Sequence, residues 1–116
     1  MKIGIDIQDT KGFVKIVGTS KMSKFFTNYE LKYLEGKNFN LSSIAGLYSA
    51  KESFFKAIGT GVQKNKLTQI EVQHTETGSP YIVLYNELKD QYLNHKFTLS
   101  ISHTKTTAVS VCIVSH

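Results

Sequence analysis

Two carboxylates and two lysines are spaced so that they could surround a phosphate and a metal ion. Glu52 and Lys56 lie four residues apart, which places them on one face of a helix. Asp6 lies in the middle of an alternating segment, where a carboxylate is unfavourable without a partner. One Asp and one Glu are too few for a Ca²⁺ cage or a structural zinc site. They are the usual complement for Mg²⁺ bound to a phosphate-bearing substrate, with Lys51 and Lys56 as the matching cations.

Each of these residues also has an ordinary structural explanation. Glu52 and Lys56 would form a surface ion pair of the Glu-to-Lys type. Asp6 would lie on the solvent side of a half-buried strand. Lys51 falls on the apolar stripe of its helix, so its ammonium either extends to water or meets an anion at the edge of the core. Taken one at a time, the residues leave both readings open.

A histidine at the end of a predicted strand is the third candidate. In the segment Ser100–Thr104, His103 continues the inward parity of Leu99 and Ile101 and could reach a ligand at the strand's rim. A hydrogen-bonded rim histidine is the alternative. Cys112 lies in an apolar run, which predicts a buried and unreactive thiol.

The elements that must position these side chains can be predicted from periodicity. Residues 1–8 alternate, which predicts a strand with its isoleucine face on the core and Gly4 leaving room beside Asp6. Thr27 and Glu30 form a capping-box pattern that predicts a helix to about residue 35. Ser42 or Ser43 is expected to cap a longer helix that reaches residue 58 and ends at Gly59-Thr60-Gly61. The remaining predictions are short helical pieces in 10–26, strands at 68–75, 81–85, 97–102 and 107–114, a turn at 77–80, and a helix capped by Asn86 that runs to about 94.

This order predicts an α+β fold in a single domain, residues 1–116, with a small, mostly antiparallel sheet on one long helix and short helices. No apolar run is long enough for a membrane helix, and one cysteine cannot form an internal disulfide, so a cytoplasmic location is expected. The net charge is +5, and the segment between Asp9 and Glu30 carries four lysines and no acid. Such a basic face favours an acidic partner. All fourteen basic residues are lysines, which weakens a nucleic-acid interpretation because lysine lacks the bidentate fork of arginine.

Four motifs in order resemble the short holo-[acyl-carrier-protein] synthases, the small class of 4′-phosphopantetheinyl transferases. They are Gly4-Ile5-Asp6, the helix Ala50–Ala57 running into Gly59-Thr60-Gly61, the turn Gly78-Ser79-Pro80, and Ser100-Ile101-Ser102-His103. The resemblance spans the chain. The chain differs in having Leu47 where members often carry arginine, and lysines where members use arginine along the first helix.

The resemblance implies a Mg²⁺-dependent enzyme of fatty acid biosynthesis. It would transfer 4′-phosphopantetheine from coenzyme A to a serine of apo acyl carrier protein and release 3′,5′-ADP. Asp6 and Glu52 would bind Mg²⁺, and Lys56 and Glu52 would be catalytic. The expected coenzyme A contacts are Lys51, Lys56, Gly59, Gly61, Pro80, Ser102, His103 and Thr104.

The resemblance also implies a homotrimer with its sites between subunits, and a carrier protein docked on Lys11, Lys15, Lys21 and Lys24. No membrane or nucleic-acid partner is expected. A nucleic-acid-binding module and a regulatory oligomer with a degenerate site remain the alternatives. The proton acceptor for the serine, the particular carrier protein and the tolerance for acylated coenzyme A are left open.

Overall fold

A long helix packed across a three-stranded antiparallel sheet forms the centre of the molecule. The structure is a computed structural model that describes all residues from 1 to 116. The strands are β1 (Lys2–Asp9), β2 (Ile70–His74), β3 (Pro80–Leu84), β4 (Lys96–His103) and β5 (Thr107–Ser115). The helices are α1 (Lys21–Phe25), α2 (Asn28–Gly36), α3 (Leu41–Ala57) and α4 (Asn86–Gln91), with 3₁₀ turns at Thr10–Phe13 and Lys64–Gln69.

The strands form two sheets, and every pairing is antiparallel. The central sheet has the order β1-β5-β4, and β2 pairs with β3 in a separate hairpin. The α+β prediction is confirmed, with the difference that a single sheet was expected. Helix α3 packs on the inner face of the central sheet, where Ala108, Ser110, Cys112 and Val114 of β5 are buried.

The predicted helix starts are confirmed for α2 and wrong for α3 and α4. In α2, Thr27 and Glu30 bond each other's backbone N–H in a complete capping box. The cap of α3 is Asn40, which accepts from the backbone N–H of Ser43, because an amide one position before the helix reaches the third N–H. Asn86 is the first residue of α4 and has a φ of 54°, so it cannot act as the cap.

The isoleucine face of β1 points away from the core, which is the reverse of the prediction. Ile3, Ile5 and Ile7 are each 65% exposed, while Gly4 and Asp6 are buried against α3. Glycine is the cause. A Cβ at position 4 would lie 2.1 Å from the carbonyl oxygen of Ser53, so only glycine allows α3 to approach β1 this closely. Strand alternation then turns Asp6 inward and the isoleucines outward.

The interior is one cluster of 20 buried hydrophobic residues that surrounds α3. Cys112 is part of it, and burial raises the pKa of its thiol to about 12, so the prediction of an inert cysteine is confirmed. None of the helices combines the length and the apolar character that crossing a membrane requires.

Candidate active site

Helix α3 and strand β1 bring Asp6, Glu52 and Lys56 together at the free edge of the central sheet. We call these three residues the carboxylate–lysine cluster. Glu52 and Lys56 lie one turn apart on α3, and the close approach at Gly4 brings Asp6 against the same turns. The small buried Ser49 also ties the two elements, because its hydroxyl contacts the Asp6 carbonyl oxygen at 3.3 Å.

The aspartate of the cluster is almost enclosed and is held from two sides. Asp6 is 4% exposed. Its Oδ1 lies 3.2 Å from Lys56 Nζ, and its Oδ2 accepts from Gln8 Nε2 at 3.0 Å. Lys56 also donates to the Ile5 carbonyl oxygen at 3.2 Å. Lys56 therefore pairs with Asp6 across the helix–strand contact, and the expected surface pair with Glu52 is replaced by this one.

The surroundings of Glu52, the glutamate of the cluster, disfavour its charged form. Partial burial, and then the hydrogen bond and charge of Asp6, raise the pKa of Glu52 above its ordinary value of 4.5. Tyr48, one turn earlier on α3, opposes this shift in the pKa of Glu52. Burial, followed by the Glu52 charge, raises the pKa of Tyr48 to about 12, so the phenol remains a donor.

The raised pKa of Glu52 predicts that the stability of the metal-free protein falls as the pH rises. A raised folded-state pKa means that the folded protein binds more protons than the unfolded chain, so stability is lost as pH rises through that pKa. Below about pH 4.5 the Glu52 contribution is fully present. Melting temperatures measured with a chelator should therefore fall more steeply above pH 4.5 for the wild type than for Glu52→Gln. Parallel curves would contradict the close placement of the two carboxylates.

The cluster has the chemistry expected of a Mg²⁺ site. A divalent cation would relieve the repulsion by which the Asp6 carboxylate raises the pKa of Glu52, and hard oxygen ligands suit Mg²⁺. No group of three or more His, Cys, Asp or Glu residues could hold a metal by itself. A cation bound here therefore needs further oxygens from a substrate, which is the usual situation for Mg²⁺ with phosphates.

The prediction that Lys51 contacts coenzyme A is wrong, because its ammonium lies inside the protein. Lys51 is fully buried and makes three contacts: Glu30 Oε1 at 2.6 Å and the carbonyl oxygens of Phe25 and Leu67 at 2.8 and 2.7 Å. These use all three donors of the ammonium. Burial lowers the pKa of Lys51, and the charge of Glu30 opposes that shift. Lys51 is thus a structural residue.

A second concave region lies beside the other edge of the central sheet. We call it the histidine cavity; its volume is about 160 Å³, and His74, His103 and Pro80 line it. The prediction that His103 points inward is confirmed, because its Cδ2 lies 3.9 Å from the position that a Cβ on Gly46 of α3 would occupy. Ser43 and Gly46, from the first turns of α3, close the cavity from below.

Within one chain the predicted coenzyme contacts fall into two separate groups. The carboxylate–lysine cluster lies where α3 meets β1, and the histidine cavity lies beside β4, which is two strand spacings or roughly 10 Å from β1. Gly59 and Gly61, with φ of 84° and 67°, end α3 near Lys56 and are open to solvent. Within one chain they follow the opposite end of α3 from Gly46, which lines the cavity with Pro80, and their place in a site between subunits stays a prediction.

The predicted wall of Ser102, His103 and Thr104 is divided in the same way. Ser102 and His103 are neighbours on β4 and point to opposite faces of the sheet, so one chain cannot offer both to the same ligand. Thr104 lies in the following turn, where its carbonyl oxygen accepts from the Ser42 hydroxyl at 2.9 Å.

Some residues of the site escaped the sequence analysis. Gln8 has the same strand parity as Asp6, and Tyr48 is four residues before Glu52, so simple periodicity could have found both. His74 and Tyr33, which stack on each other in the wall of the cavity, gave no signal because their elements are distant in sequence.

The proposed basic face is free of ion pairs. Its four lysines are all exposed, and none of them lies within ion-pair distance of a carboxylate: Lys11, Lys15, Lys21 and Lys24. This surface follows β1 directly in the chain.

Comparison with known proteins gives a consistent result. A model of the 4′-phosphopantetheinyl transferase superfamily matches residues 2–112. A holo-[acyl-carrier-protein] synthase from Caldicellulosiruptor saccharolyticus is 41% identical over 115 residues, covering 96% of this chain and 93% of that protein. A relative of the same name from Clostridium tetani is 37% identical over 117 residues, with 97% and 93% covered.

Solved structures agree with the sequence relatives. A holo-(acyl-carrier-protein) synthase from Bacillus anthracis, solved in complex with CoA (3′,5′-ADP), superposes with a TM-score of 0.82 at 31% identity and covers 97% of this chain and 94% of that one. The Helicobacter pylori enzyme in complex with coenzyme A gives a TM-score of 0.80 at 33% identity, with 97% and 99% covered.

Proposed function

Because this chain belongs to the holo-[acyl-carrier-protein] synthases of the 4′-phosphopantetheinyl transferase superfamily, we propose that it transfers phosphopantetheine from coenzyme A to a serine of apo acyl carrier protein. The reaction depends on Mg²⁺, releases 3′,5′-ADP and serves fatty acid biosynthesis. The observation that carries the proposal is the convergence of Asp6, Glu52 and Lys56 at one sheet edge.

The cluster supplies charge and position for phosphoryl transfer. The serine oxygen bonds to the β-phosphorus, the bond from that phosphorus to the bridging oxygen breaks, and the electron pair leaves with 3′,5′-ADP. Asp6 and Glu52 would hold Mg²⁺, which when bound neutralises charge on the diphosphate oxygens. Lys56, whose side chain is 49% exposed, can turn from Asp6 to a phosphate oxygen and stabilise the developing negative charge.

The serine must also lose a proton as its oxygen bonds to phosphorus. We assign Glu52 to direct that proton away, because its carboxylate is partly exposed whereas that of Asp6 is almost enclosed.

A direct assay tests this function. Apo acyl carrier protein, coenzyme A labelled in the pantetheine portion and Mg²⁺ should give labelled carrier protein in the presence of this chain. Coenzyme A with Mg²⁺ should also raise the melting temperature, because a ligand that binds only the folded state stabilises it. Absence of both effects would refute the proposal.

An uncovered aliphatic surface supports a homotrimer with active sites between subunits. The outer face of the central sheet pairs Ile3 with Ile113, Ile5 with Val111 and Ile7 with Val109. Continuous aliphatic faces of this kind are typical of protein–protein interfaces. A concave surface of about 350 Å³ joins this face to Asp6 and Lys56, so a neighbouring subunit seated on the face would also cover the cluster.

A ring of identical subunits explains the two separated groups of coenzyme contacts. In a closed ring, the carboxylate–lysine cluster of one subunit meets a different surface of its neighbour at every interface. The histidine cavity of the neighbour is the surface that holds the other expected contacts, His103 and Pro80. The coenzyme would thus lie between two copies, each contributing one group.

Replacing Ile5 with lysine tests whether the outer face of the central sheet is a subunit interface. A charge in the middle of the outer face should prevent association, giving a folded monomer by light scattering and a loss of transfer activity of roughly 100-fold, scaled from the loss of oriented binding groups. Leu93→Lys is the control, because Leu93 is 66% exposed and lies between α4 and β4, outside the strands of the central sheet. A trimeric, active Ile5→Lys protein would contradict the interface, and a wild-type dimer would contradict the trimer.

The acidic carrier protein is expected to dock on the basic face defined by Lys11, Lys15, Lys21 and Lys24. These lysines are exposed and unpaired, so they offer their full charge to an acidic partner. The unpaired, unreactive Cys112 is compatible with the reducing cytoplasm, where we place the enzyme.

A further inference from the structure

The carboxylate of Asp6 is held by two side chains of different kinds. Lys56 Nζ lies 3.2 Å from Oδ1, at the end of a flexible stem that is 49% exposed. Gln8 Nε2 donates to Oδ2 at 3.0 Å, and Gln8 is itself half-buried. Lys56 must turn away to a phosphate in its proposed role, so it cannot keep the carboxylate in place during the reaction. Gln8 is the partner that remains.

The main chain at Asp6 is fixed independently of its side chain. Asp6 lies opposite Ser110 in the β1–β5 ladder. The buried hydroxyls of Ser49 and Ser110 lie 2.8 Å apart, and that of Ser49 also contacts the Asp6 carbonyl oxygen at 3.3 Å. With the backbone held in this way, what remains free at Asp6 is rotation about its Cα–Cβ and Cβ–Cγ bonds. The direction of its carboxylate oxygens therefore depends on side-chain contacts.

Strand geometry places Gln8 where it can set that direction. Gln8 lies two residues after Asp6, so both side chains point to the same face of β1. Its cross-strand partner is Ala108, whose small side chain leaves room for the amide to reach back along the strand. The amide occupies Oδ2 and leaves Oδ1 facing Lys56. Oδ1 is therefore the oxygen that becomes available when Lys56 turns away.

We propose that Gln8 is a positioning residue for the metal site, because by holding Oδ2 it presents Oδ1 of Asp6 to the Mg²⁺ that Asp6 and Glu52 would share. This inference rests on the proposed function. Gln8 acts through Asp6 and is not assigned to the substrate or to the metal itself. Removing a hydrogen bond that orients a metal-ligating side chain typically weakens metal binding by about 10–100-fold.

Binding of Mn²⁺ tests this assignment without turnover. Mn²⁺ suits the same oxygen ligands as Mg²⁺, and its paramagnetic resonance signal distinguishes free from bound ion. The full-length protein, with coenzyme A but no carrier protein, is titrated with Mn²⁺, and coenzyme A alone supplies the background. Gln8→Met, which keeps the length of the side chain but lacks the donor, should weaken Mn²⁺ binding by on the order of 10-fold. Gln8→Leu also lacks the donor and should give the same result.

The chain contains a matched control on β2. Gln73 donates to the carboxylate of Glu71, two residues before it, at 2.6 Å, and this pair lies in the separate hairpin. Gln73→Met removes a hydrogen bond of the same kind, so it should leave the Mn²⁺ affinity at the wild-type value. Circular dichroism confirms that the variants fold.

The rate of transfer to apo carrier protein provides a second readout. Excess Mg²⁺ should return Gln8→Met to near the wild-type rate, because both ligands of the metal are intact. If the rate stays low at every Mg²⁺ concentration, or if both Gln8 variants bind Mn²⁺ as tightly as the wild type, the inference is wrong although the transferase proposal stands. If the wild type binds no Mn²⁺ with coenzyme A and transfers no pantetheine, the proposed function itself fails and the inference with it.

Discussion

Replacing Glu52 with glutamine is expected to reduce the transfer of phosphopantetheine by at least about 100-fold, because the change removes one of the two carboxylates of the metal site and its proton affinity together. Glutamine has the size of glutamate and keeps a polar end at a partly exposed position. The fold should therefore survive. The measurement is the rate of transfer to apo carrier protein as a function of Mg²⁺ concentration, and the concentration for half-maximal rate should rise.

The same substitution should not reduce stability. Glu52 and Asp6 repel each other in metal-free protein, since the Asp6 carboxylate contributes to raising the pKa of Glu52. Neutral glutamine removes this repulsion, so the melting temperature in the presence of a chelator should equal or exceed that of the wild type. Loss of activity with retained stability is the behaviour expected of a strained functional site. Unchanged activity and unchanged Mg²⁺ dependence would exclude Glu52 as a metal ligand.

Replacing Lys51 with methionine should have the opposite effect, with a loss of stability of about 3–5 kcal/mol. Both Lys51 and Glu30 are fully buried, and the lysine donates to α2, to the end of α1 and to the 3₁₀ turn before β2. Without it, the Glu30 carboxylate is left as an unpaired buried charge, although Thr27 and Val72 still donate their backbone N–H to it. Denaturant unfolding measures the difference.

Two further variants separate this pair from the active site. The double variant Lys51→Met/Glu30→Gln should lose less stability than the sum of the losses of the two single variants, since no charge is then left without a partner. Lys56→Met changes a half-exposed lysine of the same helix and leaves Asp6 its hydrogen bond from Gln8, so it should cost less stability than Lys51→Met while reducing turnover by roughly 100-fold. A Lys51→Met protein as stable as the wild type would show that the buried pair contributes little.

The buried pair also explains why a motif can mislead when it is read residue by residue. Lys51 and Glu52 are neighbours in one helix, and 100° of helical rotation sends them in different directions. Lys51 enters the core and joins four elements, whereas Glu52 remains beside Asp6. A shared motif therefore contains one residue that builds the scaffold and one that performs the chemistry.

Much of the secondary structure followed from local patterns. The capping box at Thr27, the left-handed exit at Gly59 and the inward parity of His103 depend on residues within a few positions of each other, so short-range rules were sufficient. The cap of α3 was missed because three polar residues within four positions, Asn40, Ser42 and Ser43, could each have served.

Alternation along the chain gives β1 an isoleucine face and a Gly-Asp face, and a spacing of four residues puts Glu52 and Lys56 on one side of a helix. Which face of β1 turns inward depends on how the elements pack. Alternation defines two faces but does not choose between them, and the choice came from the contact of α3 with Gly4, which no larger residue permits. That one contact places Asp6 beside Glu52 and Lys56 and leaves the isoleucines for a partner. The chemistry of the site was thus present in the sequence, whereas its assembly required the packing of a helix on a glycine 50 residues away.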